Sequence, residues 1–414
     1  MRKLTVILGK LVRGASRLRG GGSALPGLVV EKFDKNFLRD TLSKLPRGVV
    51  VVSGTNGKTT TTKMVSELLE GEGLKVFTNS TGSNFSRGVI SAILSEIKWF
   101  KFDFDIAVLE LDEAHAVQFA KQIKPSFTLL LNVLPDQVDR FGGVENTAKL
   151  LTEVAKNTAG TVILNREDHL IATIACSLPK SKTVKYFGYD EKLGKYFSLN
   201  GAQKLKTKTR NPNDVELLSF EGSQATYYID KSPHEVSLRL TGVHNLLNAA
   251  GALATVKAVL PESDAGSLLK TLSKVGAAFG RGEVLEIGNH EVEMLLVKNP
   301  SGFRLSLLSQ YDKTADVMIA INNNIGDGVD ISWLKDVDFS KVHKVKVVSG
   351  MCTSDVLQRL EEDGVKSDLT EPDLKKALDI LLQGSNKKQI FCNYTAMLQI
   401  RKLLGKIGKI EKAL

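Results

Sequence analysis

Short apolar runs alternate with amphipathic stretches between residues 47 and 255. The runs are rich in valine, isoleucine and leucine, as is typical of strands buried on both faces. They predict strands at Val49–Val52, Lys75–Thr78, Ile106–Leu111, Phe127–Asn132 and Thr161–Asn165. The stretches between them predict helices at Thr60–Gly71, Ser86–Ile97, Ala114–Lys121 and Thr147–Thr158. This alternation predicts an α/β fold, with a mostly parallel sheet covered by helices on both faces.

The pattern changes in the second half of the chain. Residues 184 to 240 carry short strands rich in Tyr, Thr and Ser around the lysine-rich turn Lys204–Lys208, which predicts an antiparallel flap on the same domain. The helix Asn245–Leu260 and a break near Gly276–Gly282 follow. Further strands are predicted near Val292–Leu296, Val317–Ala320, Val345–Ser349 and Gln389–Phe391. We therefore predict a lead-in at 1–46, a central domain at 47–277 and a C-terminal α/β domain at 278–414.

Composition argues against several kinds of segment and site in this chain. The 414 residues are 42% hydrophobic and 25% charged, which is ordinary for a globular protein. No apolar run approaches the ~20 residues that span a bilayer, so no transmembrane segment is expected. The N-terminal stretch lacks the long apolar core of a cleaved signal peptide. The three cysteines lie far apart, so we expect neither disulfides nor a cysteine zinc site, and a reducing, cytoplasmic setting.

The net charge of +10 gathers partly at the two ends, in Met1–Arg19 and Arg401–Lys412. In the first stretch, apolar residues recur at helical spacing: Leu4, Leu8, Leu11, Ala15 and Leu18. The favoured interpretation is a helix that packs on the body with its basic side in water. The alternative is attraction to an anionic membrane face or a polyanionic substrate. Nucleic-acid binding is not expected, because no recognised motif accompanies the charge.

A glycine-rich loop, G-T-N-G-K-T-T, joins the first predicted strand to the first predicted helix. A strand, a glycine turn and a helix N-terminus in this order present backbone N–H groups to a phosphate. Lys58 can reach the outer phosphates, and the Thr59 hydroxyl can bind Mg²⁺. The predicted nucleotide-binding residues of the loop are Gly54, Thr55, Asn56, Gly57, Lys58, Thr59 and Thr60.

Acidic residues follow two of the predicted strands. Glu110, Asp112 and Glu113 lie where the third strand ends, at the sheet edge where ligands collect. At least one of them is predicted to hold Mg²⁺ with Thr59, although acids also favour a helix N-terminus. Asp136 and Asp139 follow the next strand. They either act near the metal and nucleotide or belong to a helix cap, and the residues leave both interpretations open.

The segment 241–248, T-G-V-H-N-L-L-N, begins the predicted helix Asn245–Leu260. On general grounds Asn245 caps this helix and His244 is a core residue. The loop, the acid at Glu110, the motif N-x-x-x-D at 132–136 and the motif G-x-H-N-x-x-N at 242–248 together resemble the Mur ligase superfamily. These enzymes join an amine to a carboxylate through an acyl phosphate made from ATP.

This resemblance implies ATP and Mg²⁺ as cofactors, with Thr59 and Glu110 at the metal. It implies that Asn245 and Asn248 line the base site with Asn165 and Asp168 nearby. It also implies that Arg281 opens the C-terminal domain and contacts phosphate.

Stretches at 297–303, 319–339 and 394–397 are similar to the branch of the superfamily that amidates lipid II. The resemblance implies activation of the α-carboxylate of D-glutamate in lipid II, at the inner membrane face, with ammonia from a GatD-like glutamine amidotransferase partner. Alternatives are an amino-acid-adding or folylpolyglutamate synthase-like ligase, or a non-catalytic scaffold.

In that branch an aspartate completes the partner's Cys–His pair, which an acid would orient. The candidates are Asp327 and Asp330, with Asp330 preferred and Asp336 left open. The competing interpretation is an ordinary turn.

Two departures from the superfamily pattern stand out. Many members carry a four-cysteine zinc ribbon after the stretch that corresponds to 186–190, and this chain has no cysteine there. Structural zinc is therefore not expected. Gln137 occupies a position where many Mur ligases have histidine, a replacement that the amidating branch tends to share.

Overall fold

The computed structural model describes residues 3–18, 25–79, 85–134, 143–197, 214–240, 242–277, 280–327 and 329–408. Its helices are α1 Lys3–Leu18, α2 Leu25–Phe33, α3 Phe37–Leu42, α4 Lys58–Gly71, α5 Ser86–Glu96, α6 Glu113–Ile123, α7 Val144–Lys156, α8 His169–Ile174, α9 Gly194–Phe197, α10 Val243–Val259, α11 Ala265–Leu272, α12 Pro300–Ser309, α13 Thr353–Glu362, α14 Leu374–Leu381 and α15 Tyr394–Leu404. Its strands are β1 Val49–Ser53, β2 Val76–Thr78, β3 Ile106–Glu110, β4 Phe127–Leu130, β5 Thr161–Asn165, β6 Thr183–Tyr189, β7 Val215–Glu221, β8 Gln224–Ile229, β9 Ser232–Ser237, β10 Arg281–Ile287, β11 His290–Leu296, β12 Asp316–Ala320, β13 Lys344–Ser349, β14 Lys366–Thr370 and β15 Lys388–Cys392.

The first sheet has nine strands in the described residues, in the order β2-β3-β1-β4-β5-β6-β7-β8-β9. It is parallel from β2 to β7. Strand β1 lies between β3 and β4, and its residues Val50–Val52 are fully buried. The predicted parallel α/β fold is confirmed, because a valine run buried on both faces needs a neighbour on each side and helices above and below.

The predicted antiparallel flap at 184–240 is wrong in its first part. Strand β6 pairs in parallel with β5, and β7 in parallel with β6; only β7–β8 and β8–β9 are antiparallel. Strand β6 is half-exposed along most of its length. Phe187 faces α10, where it would touch a Cβ at Gly251, and Val184 and Tyr186 pack against a different core cluster. The mixed Tyr and Thr composition therefore belongs to an interior strand whose two faces are incompletely buried, not to a separate hairpin. The turn Lys204–Lys208 lies outside the described residues.

The N-terminal helices complete the same core as the central sheet. Val6, Val30 and Phe37 pack in one cluster with Val49 and Val51 of β1. Helix α1 is present as predicted and packs on α2 and α5, but Leu4 and Leu11 of its predicted apolar stripe are exposed. The prediction that this helix packs through its leucine stripe is therefore wrong at Leu4 and Leu11, because Thr5 and Gly9 make the close contacts to the body.

The second sheet has the order β10-β11-β15-β12-β13-β14 in the described residues. It is parallel except for the β10–β11 hairpin. Strand β14 is mostly exposed, so its polar sequence gave no strand signal. The boundary proposed at 278 stays a prediction, although the first sheet ends at Ser237 and the second begins at Arg281. Among the described residues, no helix is long and apolar enough to cross a membrane.

Candidate active site

The glycine-rich loop after β1 is held in shape by Asn132, which follows β4. The Thr55 N–H donates to the Asn132 carbonyl at 3.0 Å. The Asn56 N–H donates to Asn132 Oδ1 at 2.9 Å, and Asn132 Nδ2 donates to the Asn56 carbonyl at 3.0 Å. Gly57 has φ +88°, a backbone conformation that favours glycine. The loop is therefore preorganised by its neighbouring strand, as a phosphate site requires.

Lys58 lies inside this loop and is 8% exposed. Its Nζ donates to the Gly54 carbonyl at 2.6 Å and lies 3.4 Å from Asp112 Oδ1 and 3.7 Å from Glu113 Oε1. Two of the three candidate metal-binding acids thus balance the charge of the lysine. A phosphate in the loop would compete with them for the ammonium group.

The third acid, Glu110, meets Thr59. Thr59 Oγ1 donates to Glu110 Oε1 at 2.9 Å. Adjacent ligands of an octahedral Mg²⁺ with bonds of 2.0–2.1 Å lie about 2.9 Å apart, and Mg²⁺ typically takes one or two protein oxygens plus phosphates and water. This pair therefore fits that ion. In the described part of the chain no cluster of three or more His, Cys, Asp or Glu side chains suits a metal.

Asn79, which follows β2, fixes the end of β3. Its Nδ2 donates to the Glu110 carbonyl at 2.8 Å, and the Glu110 N–H donates to Asn79 Oδ1 at 2.9 Å. Sequence reasoning missed Asn79. The available signal was an asparagine within three residues of the end of a strand, which also marks Asn132 after β4 and Asn299 after β11.

The C-terminal domain bonds directly to the loop. Lys298 Nζ donates to the Thr55 carbonyl at 3.2 Å. Asn299 Nδ2 donates to Asn56 Oδ1 at 3.1 Å, and Asn56 Nδ2 donates back to Asn299 Oδ1 at 3.4 Å. Arg281 enters from the start of β10, where burial lowers its pKa and the charge of Glu110 opposes that shift. Three C-terminal residues thus surround a loop that begins more than 200 residues earlier.

A cavity of about 460 Å³, within the size range of ligand pockets, is lined by Thr55, Asn56, Lys58, Glu110, Arg281 and Lys298. Thr60, Asn245 and Asn248 also line it. Asn248 lies against the loop itself, because a Cβ at Gly57 would come within 2.6 Å of Asn248 Oδ1. Its part in binding the base stays a prediction.

Asn165 and Asp168 line the same cavity but serve neighbouring backbone. Asn165 Nδ2 donates to the Leu131 carbonyl at 2.8 Å. Asp168 caps α8 by accepting from the Ile171 N–H, and it also accepts from the Val133 N–H at 2.7 Å. Burial raises the pKa of Asp168, and these N–H donors oppose the rise.

His244 also faces the cavity. Burial, together with the nearby charge of Arg281, lowers its pKa to about 4, so the ring is neutral at pH 7. Its Nδ1 is a buried atom without a hydrogen-bond partner in the structure. The expectation of a satisfied core histidine is therefore wrong, because helix α10 begins at the cavity wall and not inside a core.

The two candidate partner-facing aspartates lie away from the cavity. Asp327 is 9% exposed and accepts hydrogen bonds from both the N–H and the hydroxyl of Thr395 at the start of α15. Asp330 is exposed and accepts from the Ser332 N–H at 2.8 Å and the Ser332 hydroxyl at 2.9 Å. Asp136, Asp139 and Gln137 lie outside the described residues.

Comparison with known proteins agrees with this geometry. Residues 52–256 match the family model for the Mur ligase middle domain, and residues 296–397 match the model for the MurT ligase C-terminal domain. The chain is 29% identical to a Streptococcus pneumoniae protein named lipid II isoglutaminyl synthase (glutamine-hydrolyzing) subunit MurT, over 96% of this chain and 95% of that protein. The chain belongs to the MurT family of Mur ligases.

The similarity of this MurT-family chain to other proteins extends over nearly its full length. It is 27% identical to the Staphylococcus aureus protein of the same name, over 96% of each chain. Among solved structures, MurF ligase from Thermotoga maritima in complex with ADP has a TM-score of 0.67 at 18% identity, covering 91% of this chain and 84% of that one. At that identity the likeness establishes the fold.

Proposed function

We propose that this MurT-family chain is a C–N bond-forming ligase that amidates the D-glutamate α-carboxylate of lipid II to D-isoglutamine in peptidoglycan synthesis. The two relatives matched over 96% of the chain are named as subunits of that synthase. One observation carries the proposal: the MurT-type C-terminal domain supplies Lys298 and Asn299 directly to an intact Gly54–Thr60 loop.

The reaction brings two anions together. A substrate carboxylate oxygen attacks the γ-phosphorus of ATP and ADP leaves; ammonia then attacks the acyl carbon and phosphate leaves. Lys58, Lys298 and Arg281 are the cations around the loop that offset this repulsion. Mg²⁺ on Thr59 and Glu110 would neutralise phosphate charge when bound. Positioning supplies most of the remaining rate.

Replacing Lys58 tests the ligase assignment. Lys58→Ala should abolish ATP-dependent amidation, because the repelling phosphates lose their nearest cation. Lys63→Ala is the matched control, since Lys63 lies on the same helix but is paired with Glu67 at 3.7 Å. Retention of amidation by Lys58→Ala would overturn the proposal.

The nucleophile separates this function from its nearest alternative. An amino-acid-adding ligase, muramyl-peptide or folylpolyglutamate type, would use an amino acid and need no ammonia. We expect product from ammonium salts and none from free amino acids in mass spectrometry. ATP hydrolysis that depends on substrate would exclude a non-catalytic scaffold.

We further propose that ammonia comes from a GatD-like glutamine amidotransferase subunit, and that Asp330 completes its Cys–His pair. Asp330 is exposed, and the backbone hydrogen bond from Ser332 is the main cause of its lowered pKa, so it is an anion at neutral pH. The adjacent Ile325 and Val329 are 86% and 66% exposed, as suits a protein contact. Asp327, by contrast, is occupied in holding α15.

Two ammonia sources test the role of Asp330. With the amidotransferase present, Asp330→Asn should lower glutamine-driven amidation about tenfold or more, as loss of a triad acid does, and leave ammonium-driven amidation unchanged. Asp336→Asn, in the same segment, is the control. Unchanged glutamine-driven activity in Asp330→Asn would remove Asp330 from the triad.

We place this activity in the cytoplasm, at the inner face of the membrane where lipid II presents its head group. The basis is the substrate named for the relatives. Fractionation of cells that express the tagged chain should recover it in the membrane-associated pool as well as the cytosol, and salt should release it.

A further inference from the structure

Helix α1 turns its apolar side to solvent. Leu4, Ile7 and Leu11 are 75%, 44% and 67% exposed. Because they are spaced by three and four residues, they form one stripe along the helix. The buried side carries Thr5, Gly9 and Ser16 together with one apolar residue, Val6. A surface helix of a globular protein normally does the opposite and packs its apolar stripe on the core.

Contacts on the buried side fix this orientation. Thr5 Oγ1 donates to Asp34 Oδ2 at 3.0 Å. A Cβ at Gly9 would lie 2.7 Å from both terminal methyl carbons of Leu94, so glycine allows α1 to approach α5 this closely. The helix cannot roll to bury its leucines without breaking these contacts.

A second exposed apolar element lies beside the helix. The turn after α5 carries Trp99, which is 93% exposed, and Phe100, which is 40% exposed. Lys10 Nζ donates to the Ile97 carbonyl at 2.6 Å, and Lys3 Nζ lies 5.9 Å from the centroid of the Phe100 ring. Trp99 and Phe100 have φ of +48° and +60°, which is unfavourable for bulky residues. The turn thus has a strained backbone conformation, and it still leaves the indole of Trp99 exposed to water.

The charged residues of the helix and of the turn themselves are all basic. Helix α1 contains two lysines, two arginines and no acidic residue, and the turn adds Lys98 and Lys101. Anionic lipid head groups attract such cations. Tryptophan favours the head-group level of a bilayer, and an amphipathic helix lying in that plane buries its apolar side among the acyl chains. A nucleic acid would use the cations but leave the leucines in water.

We propose that the α1 face, defined as Leu4, Ile7, Leu11 and Trp99, docks this chain on an anionic membrane surface. The inference rests on the proposed function in one respect: a lipid-borne substrate gives the enzyme a reason to sit there. The exposure, the fixed helix orientation and the basic flank stand without it.

Vesicle sedimentation tests the docking. The full chain should bind vesicles of phosphatidylglycerol and phosphatidylcholine at least tenfold better than vesicles of phosphatidylcholine alone. The triple variant Leu4→Ser, Ile7→Ser, Leu11→Ser should lose at least tenfold of the binding to anionic vesicles. Because all three side chains are exposed, circular dichroism and thermal unfolding should match the parent.

A control triple variant changes exposed apolar residues elsewhere: Met351→Ser, Leu369→Ser and Ile407→Ser, which are 63%, 51% and 57% exposed. It should bind vesicles like the parent. Equal loss in both triples would mean non-specific stickiness. Unchanged vesicle binding by the α1 triple variant would mean that the basic residues alone bind the membrane. If the parent were a dimer in sedimentation velocity and the α1 triple variant a monomer, a second copy of the chain would cover the stripe. Each of these outcomes overturns the proposal.

A water-soluble stem-peptide substrate separates this proposal from the enzymatic one. The α1 triple variant should amidate it at the parental rate. A parent that binds vesicles but never amidates would refute the proposed function alone. A parent that amidates but ignores anionic vesicles would refute the docking alone.

Discussion

Alanine at Gly57 should damage the nucleotide site, whereas alanine at Gly73 should not. Gly57 has φ +88° and Gly73 has φ +89°, so each substitution costs about 1–2 kcal/mol of backbone energy. The surroundings differ. A Cβ at Gly57 would lie 2.6 Å from Asn248 Oδ1 and 2.8 Å from its Nδ2, whereas a Cβ at Gly73 meets no heavy atom within 4 Å.

The clash at Gly57 can be relieved only by moving the loop or Asn248. Asn248 is 7% exposed on helix α10, so it has little room to withdraw. If the loop and Asn248 bind the nucleotide as proposed, displacing the Asn248 amide or a loop N–H forfeits one or two hydrogen bonds to it, each worth about 0.5–1.5 kcal/mol. We therefore expect the Kd for ATP to rise about tenfold, beyond a loss of folding stability that both variants share.

Isothermal titration with Mg·ATP measures the affinity, and thermal unfolding measures the shared backbone cost. Gly73→Ala should bind ATP like the parent while unfolding at a lower temperature. If Gly57→Ala bound ATP as tightly as Gly73→Ala does, the loop would not be the phosphate site.

Four further substitutions probe the surroundings of the glycine-rich loop. Asn299→Asp keeps the helix cap, which accepts from the Gly302 N–H at 2.8 Å, but loses the N–H donor to Asn56, so it should raise the KM for ATP. Asn299→Ala should raise the KM and also lower the free energy of unfolding by about 1 kcal/mol, because the cap is lost. An Asp variant with parental KM would mean that the contact between the domains is incidental. Glu110→Gln should raise the Mg²⁺ concentration needed for half-maximal ATP turnover, and an unshifted Mg²⁺ titration would exclude it as a ligand. Burial lowers the pKa of His244 from 6.5 to about 4 in the folded chain, so the unfolded chain takes up this proton first and the free energy of unfolding falls as the pH drops from 6.5 to 4. His244→Gln should therefore lose less stability than the parent over that pH range in urea unfolding. The same dependence of unfolding free energy on pH in both proteins would refute this account.

Much of the fold followed from local pattern. Strand β5 has the predicted bounds, and β1 differs from its prediction only by Ser53, because a valine or isoleucine run between turn residues has few alternatives to a buried strand. Strand β14 was not predicted, because a mostly exposed polar strand has no hydrophobic periodicity. The parallel pairing of β6 was not predicted either, because the direction of a strand depends on the crossover connection and not on the strand's own residues.

Local patterns were enough to predict the glycine-rich loop, the α/β class and the family, because glycine positions, apolar runs and motif spacing are properties of short stretches of chain. Which acid meets Thr59 depends on the packing of the sheet, since Glu110 is 51 residues away and reaches Thr59 because β3 lies beside β1. The same holds for Asn56 and Asn299, which are 243 residues apart and meet where β11 ends at the loop. It holds also for helix α1, whose spacing predicted a buried leucine stripe. Its close contacts at Thr5 and Gly9 leave Leu4 and Leu11 of that stripe in solvent, because a small side chain lets two helices approach where a leucine would hold them apart.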